Sequence, residues 1–246
     1  MVEDRSVLER EAPAPDRTWT YGDGPDEVAD VYLPPSEVAA SVPVLLIHGG
    51  YWRPEYDRAH LRPTAAALAA AGHATVLIEY PRRPGRPDDT VGAMRTALAA
   101  VAEVVDVPVV VIGHSAGGHL ALLAAQPPST NARAVLALAP VADLAMADRL
   151  DLDEGAVREF LGRPAVDCPD LDPAALPRPS LPVTVVHGAE DSLVPLALAE
   201  SYCSSGTARL IVLDGIGHFE PIDPTSAAWP VVIAELSALG TASGIE

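Results

Sequence analysis

The sequence predicts an α/β fold: a mostly parallel sheet with helices on both faces, entered through an antiparallel N-terminal hairpin. Three observations carry this. From residue 42 onward, apolar runs alternate with helical stretches. Several of the runs contain no polar residue, as strands buried on both faces require. One run passes straight into a helix through the small-residue turn GHSAG at 113–117. With 246 residues, 49% of them hydrophobic, the chain can bury the core that one such domain needs.

Taken in order, the first seventeen residues are charged and Pro-containing and read as a tail or surface segment, ahead of a single domain over 18–246. Thr18–Tyr21 and Glu27–Leu33 read as short strands joined by the GDGP turn at 22–25. Val42–His48 is a buried strand, Ala59–Ala71 a helix closed by Gly72, and Ala74–Tyr80 the next strand. A Pro- and Arg-rich loop at 81–87 leads to a helix opened by Asp88 and Asp89 and running to about Val104. Val107–Ile112 is a strand, Ser115–Gln126 a helix, and Ala134–Ala139 a strand. The rhythm breaks over 141–180, rich in acids and prolines with one helical stretch at Glu154–Leu161; an insertion there suits a small cap over an active site. Strand Pro182–His187, helix Leu196–Cys203, strand Arg209–Leu213 and helix Thr225–Leu239 complete the alternation.

Sixteen basic residues stand against 34 acidic ones, a net charge of −18. A field of that sign repels phosphate backbones and anionic lipid, which argues against nucleic-acid or membrane-surface partners. No apolar stretch is long and uncharged enough to span a bilayer, and residues 1–10 lack the apolar core of a secretory signal, so a cytoplasmic location is expected. Two cysteines, Cys168 and Cys203, do not make a disulfide scaffold, and whether they pair stays open. A homodimer stays open as well.

The chemistry is concentrated in GHSAG. Between the run VPVVVI and the helix AGGHLALLAA, it has the strand–turn–helix setting in which GxSxG presents a nucleophile, here Ser115. The helix that follows aims its free N–H groups and positive dipole end at that serine. A serine hydroxyl is a weak nucleophile, so it needs a base and an acid that orients the base. Asp191, after the strand VTVV, and His218, after RLIVLD, follow Ser115 in the order Ser, Asp, His, each at the carboxyl end of an expected strand. Glu190 and Asp143 compete with Asp191 for the acid role. Oxyanion donors are expected from the N–H of Ala116 and from Gly50 or Tyr51 in the HGGYW loop after the first buried strand. Gly49, Trp52, His114 and Phe219 are placed around the substrate pocket. Among the other histidines, His48 and His187 end strands and are expected to satisfy loop backbone, His119 lies on the helix after the nucleophile, and His60 and His73 flank another helix. None forms a spaced ligand set such as HExxH, so neither a metal nor any other cofactor is expected.

HGGYWR at 48–53, GHSAGGHLA at 113–121 and GHFEPIDPTSAAW at 217–229 together resemble the kynurenine formamidase (arylformamidase) branch of the α/β-hydrolase esterase/lipase superfamily. The likeness covers about residues 25–240. It implies a cofactor-free hydrolase of an aryl formamide or a small carboxylic ester, with Ser115, Asp191 and His218 as the triad and the HGGYW loop as the oxyanion loop. The stretch 141–180 matches no motif of that group. A catalytically silent relative that binds a ligand or partner is the competing reading, and the three filled triad positions argue against it.

Overall fold

In the computed structural model, β1 (Arg17–Thr20) and β2 (Val28–Tyr32) pair antiparallel, with Thr20 opposite Val28, across the expected turn. The structure describes residues 3–128, 131–177, 179, 181–204, 206 and 208–241. Positions 1 and 2 of the expected tail, 178 and 180 of the 141–180 stretch, and 242–246 at the end of the expected domain lie outside the described residues, as do 129, 130, 205 and 207. The chain then adds β3 (Val44–Ile47), β4 (Thr75–Ile78), β5 (Val109–His114), β6 (Ala132–Leu138), β7 (Val183–Gly188) and β8 (Arg209–Leu213). The order across the sheet is β1-β2-β4-β3-β5-β6-β7-β8, and every pair beyond β2–β4 is parallel. The chain steps outward from β3 to β4 and returns to β5, so the crossover direction reverses between β3 and β5. In open α/β sheets a ligand crevice forms outside the carboxyl ends of the strands at such a point.

β3, β4, β5 and β7 are buried at every residue, which explains why apolar side chains dominate them. Alternate side chains serve two layers. Leu45, Ile47, Val76, Ile78 and Val111 pack with Met94 of α2 (Pro87–Ala100) and Leu120 of α3 (Ala116–Ala124). Val44, Leu46, Leu77, Val110 and Ile112 pack with Leu68 of α1 (Arg62–Ala70) and Leu236 of α7 (Trp229–Thr241).

Several boundaries move for local reasons. The strand expected from Val107 starts at Val109, since Pro108 has no N–H for the ladder, and it runs on into the GHSAG turn. The helix expected from Ala59 starts at Arg62 with Pro63 in its first turn, after a 3₁₀ turn at Arg58–Leu61 that the Asp57 carboxylate caps. The last helix starts at Trp229 rather than Thr225, because the Asp223 carboxylate accepts from Thr225 N–H and holds a turn there (2.8 Å).

The 141–180 stretch carries two short helices where one was expected. These are α4 (Leu144–Arg149), whose N-terminus Asp143 caps, and α5 (Ala156–Leu161). α6 (Leu196–Cys203) lies where the sequence places it. Cys168 and Cys203 are free thiols. The segment ahead of β1 is laid onto the domain. Val7 is 1% exposed in the second core layer, and the Arg10 guanidinium grips both oxygens of Asp223 (2.5 and 2.9 Å). No helix of the described residues is long and apolar enough to cross a membrane.

Candidate active site

Three loops at the carboxyl ends of the strands converge beside Ser115. The serine stands between β5 and α3 with φ 56° and ψ −119°, a backbone conformation that side chains with a Cβ rarely adopt. The glycines around it make the turn sterically feasible. A Cβ at Gly113 would collide with the Gly117 carbonyl, and one at Gly117 with the carbonyls of Ile47 and His48. The strain is held by a hydrogen bond from Ser115 N–H to Leu138 O (2.9 Å) and by α3 winding directly from the serine.

Asp191 lies in the loop after β7. Its Oδ1 accepts backbone N–H bonds from Leu193 (2.9 Å) and Val194 (2.7 Å), and its Oδ2 accepts from His218 Nδ1 (2.7 Å). His187, at the end of β7, adds a second ring nitrogen 3.2 Å from Oδ2 and also donates to Val194 O (2.9 Å). Burial alone would push the Asp191 carboxyl up. The bonds from His187 and His218 outweigh it and hold the group well below the usual carboxylate range. An ionised Asp191 accepts from a protonated His218 Nδ1, so in the neutral imidazole Nε2 is the acceptor nitrogen. His218 and Ser115 both line a cavity of about 500 Å³, and their side chains are not hydrogen-bonded to each other.

The competitors for the acid role lie elsewhere. Asp143 caps α4 and accepts from Ser201 Oγ (2.6 Å), while Glu190 is exposed.

After β3, Gly50, Tyr51 and Trp52 all have positive φ (105°, 51° and 57°), which folds the HGGYW loop back over the serine. The amides of Gly50, Tyr51 and Ala116 have no acceptor among the described residues, so donors from both expected sources are free. At the root of the loop, the His48 ring stacks on Tyr80 (4.4 Å) and the Tyr80 hydroxyl donates to His48 O (2.8 Å). Glu79, buried beside the guanidinium groups of Arg58 and Arg82, reaches the His48 ring (2.8 Å).

The expected pocket residues divide. His114 and Phe219 line the cavity with Tyr51 and Tyr56. His114 donates from Nε2 to His218 O (3.0 Å), and burial followed by the nearby His218 keeps its ring neutral. Trp52 is not at the cavity. It is buried and stacked on Phe160 of α5 (4.5 Å), edge-on to His119 (5.2 Å), because its positive φ turns the ring away from Ser115 into the core. Gly49 also falls outside the lining and lies under the serine, where a Cβ would sit 3.0 Å from Ser115 Cβ. None of the described residues of 141–180 lines the cavity either. Instead that stretch braces the outer side of the HGGYW loop, through the Trp52–Phe160 stack and the ion pairs of Arg53 with Asp153 and Glu159.

A further part of the wall comes from residues 5 and 8–11, in the segment ahead of β1. These residues lie more than 100 positions from Ser115 and more than 200 from His218 and Phe219 in the chain, and no local pattern signals the contact. Among the described residues, no three His, Cys, Asp or Glu side chains gather as a metal set.

This topology, with a strained serine turn at the reversal of the sheet, defines an α/β-hydrolase fold. The chain belongs to the alpha/beta hydrolase family, whose sequence model matches residues 44–167. Solved structures agree over nearly the whole chain. A provisionally assigned thioesterase from Silicibacter sp. TM1040 is 25% identical (TM-score 0.74; 97% of this chain, 88% of that one). Esterase B of Lactobacillus rhamnosis, inhibited by a tributyrin phosphonate, is 19% identical (TM-score 0.75; 96% and 90%). An esterase of Thermogutta terrifontis with propionate bound is 22% identical (TM-score 0.69; 96% and 99%).

Proposed function

We propose that the protein is a serine hydrolase that cleaves small carboxylic esters through an acyl-enzyme on Ser115. The observation that carries this is the convergence on one cavity of a strained serine, a histidine bonded to an ionised carboxylate, and free backbone amides from two loops. His218 Nε2 takes the hydroxyl proton as Ser115 Oγ attacks the carbonyl carbon. Asp191 holds the imidazole tautomer and stabilises the imidazolium. The amides of Ala116 and of Gly50 or Tyr51 receive the oxygen that becomes negative. His218 then protonates the leaving alcohol, and water, deprotonated by the same nitrogen, releases the acid.

A cavity of this size, with Tyr51, Tyr56 and Phe219 in its wall, suits a short acyl group beside an aryl or alkyl leaving group. The neighbours named as esterases support the ester reading. The HGGYWR resemblance extends it to aryl formamides, whose cleavage uses the same steps with an amine leaving.

The test is turnover of p-nitrophenyl acetate, butyrate and octanoate beside N-formylkynurenine, with Ser115→Ala as control. Preference for the short esters, reduced about 10³- to 10⁶-fold in Ser115→Ala with an unchanged melting temperature, is expected. Strong preference for the formamide would move the proposal to the arylformamidase reaction. Near-native turnover in Ser115→Ala would remove Ser115 from the chemistry.

A further inference from the structure

Glu3 ties together the two loops that carry Asp191 and His218. Its Oε1 accepts from both the backbone N–H and the hydroxyl of Ser192, each at 2.7 Å, and its Oε2 accepts from the backbone N–H of His218 at 2.7 Å. Ser192 is the residue after Asp191, so one carboxylate spans the loop after β7 and the loop after β8 at the point where acid meets base. A second observation shows that this approach is built in. A Cβ at Gly217 would run into Glu3 Oε2, so the glycine before His218 leaves the room that the carboxylate occupies.

The segment behind Glu3 is anchored at three further places. Arg5 lies over the Phe219 ring (5.5 Å), Val7 is buried in the core, and Arg10 grips Asp223 and Thr225. Without the carboxylate, the His218 and Ser192 amides would have to turn to water. The base would then hang on a loop that holds two glycines, Gly215 and Gly217, and is correspondingly free to move. Hydrogen bonds to a charged acceptor are roughly twice as strong as neutral ones. A misplacement of about 1 Å at a reacting group can cost about 100-fold in rate.

We infer that Glu3 is a positioning residue for the reaction at Ser115: a clamp from outside the triad that sets the geometry of the His218–Asp191 pair. The inference rests on the serine-hydrolase reading above.

The test uses the full chain with any affinity tag kept off the amino end, comparing wild type, Glu3→Gln and Glu3→Ala. With p-nitrophenyl butyrate, Glu3→Ala is expected to lose about 10- to 100-fold in kcat with KM within about twofold. Glu3→Gln keeps one acceptor oxygen and recovers part of the loss. The second readout is independent of turnover. The hydrogen-bonded proton between His218 Nδ1 and Asp191 gives a downfield proton NMR line, expected in wild type and Glu3→Gln and broadened or lost in Glu3→Ala. Unchanged kcat with an intact line would overturn the clamp. So would a rise in KM at constant kcat, which would make the segment only a cavity wall. Should Glu3→Ala fail to fold, Glu3→Gln decides by the same two measurements, wild-type values for both overturning the clamp. If wild type itself turns over nothing, the hydrolase reading fails, and the NMR line alone decides whether Glu3 holds the pair.

Discussion

At Ser115 the backbone carries the load before the side chain does any chemistry. A non-glycine residue at φ 56° and ψ −119° costs on the order of 1–3 kcal/mol, and it persists only where its surroundings leave no alternative. Gly113 and Gly117 are those surroundings. Gly117→Ala would push a methyl group into the carbonyls of Ile47 and His48, at the strand end that bears the HGGYW loop. A loss of about 2–4 kcal/mol in chemical denaturation is expected, together with reduced turnover. Asp191→Asn separates orientation from folding, because the side-chain oxygen can keep the Leu193 and Val194 amides while the His218 bond changes character. A kcat about 10⁴-fold lower with a nearly native melting temperature is the expected result. A loss below tenfold would return the acid role to open competition.

Among the elements, the loop after β3 is held from two sides. His48 is locked to Tyr80 and Glu79 just beyond the ends of β3 and β4, while Trp52 and Arg53 lean on α5. Trp52→Ala should therefore cost about 3–5 kcal/mol in stability while leaving acyl-chain preference unchanged, as urea unfolding and a p-nitrophenyl ester series would show. A changed chain-length preference at unaltered stability would restore Trp52 to the pocket wall.

The difference between Trp52 and Tyr51 marks what could be read from sequence. Strand runs such as VLLI and VVVI are buried on both faces and identify themselves by composition, and Ser115, Asp191 and His218 follow the ends of β5, β7 and the half-exposed β8. Which of two adjacent aromatics faces a cavity depends on a positive φ at each, and residue type does not encode that. α4 was missed because its start depends on the Asp143 cap in a stretch that reads as loop. The Glu3 contacts were missed because they join positions 189 and 215 residues apart.

Over the whole molecule, acid should be the destabilising direction. Burial lowers His60 and His119 to about 4, and it lowers His114 well below its usual value. These rings stay neutral when folded and take up protons more readily when unfolded, so their contribution is complete above about 6.5 and falls away as the pH drops from there toward 4. Each can tilt stability by up to about 1.4 kcal/mol per pH unit within that window. Asp191, lowered instead, adds stability above the ordinary carboxylate value of 3.8 that disappears only as the pH falls through its folded value. The melting temperature should therefore decline steadily from pH 7 to pH 4.5, and His119→Gln, which can keep a donor to Leu171 O, should flatten that decline. A melting temperature that is flat across this range would contradict the neutral state of these histidines.

Whether Ser115 is an activated nucleophile is decided by intact-mass measurement after brief exposure to a fluorophosphonate. Attack forms the Ser115 Oγ–phosphorus bond and expels fluoride, with His218 taking the hydroxyl proton. One phosphonyl adduct per chain, mapped to the peptide holding Ser115 and absent from Ser115→Ala, is the predicted result. An unlabelled wild-type chain, or equal labelling of both proteins, would show that Ser115 is not an activated nucleophile.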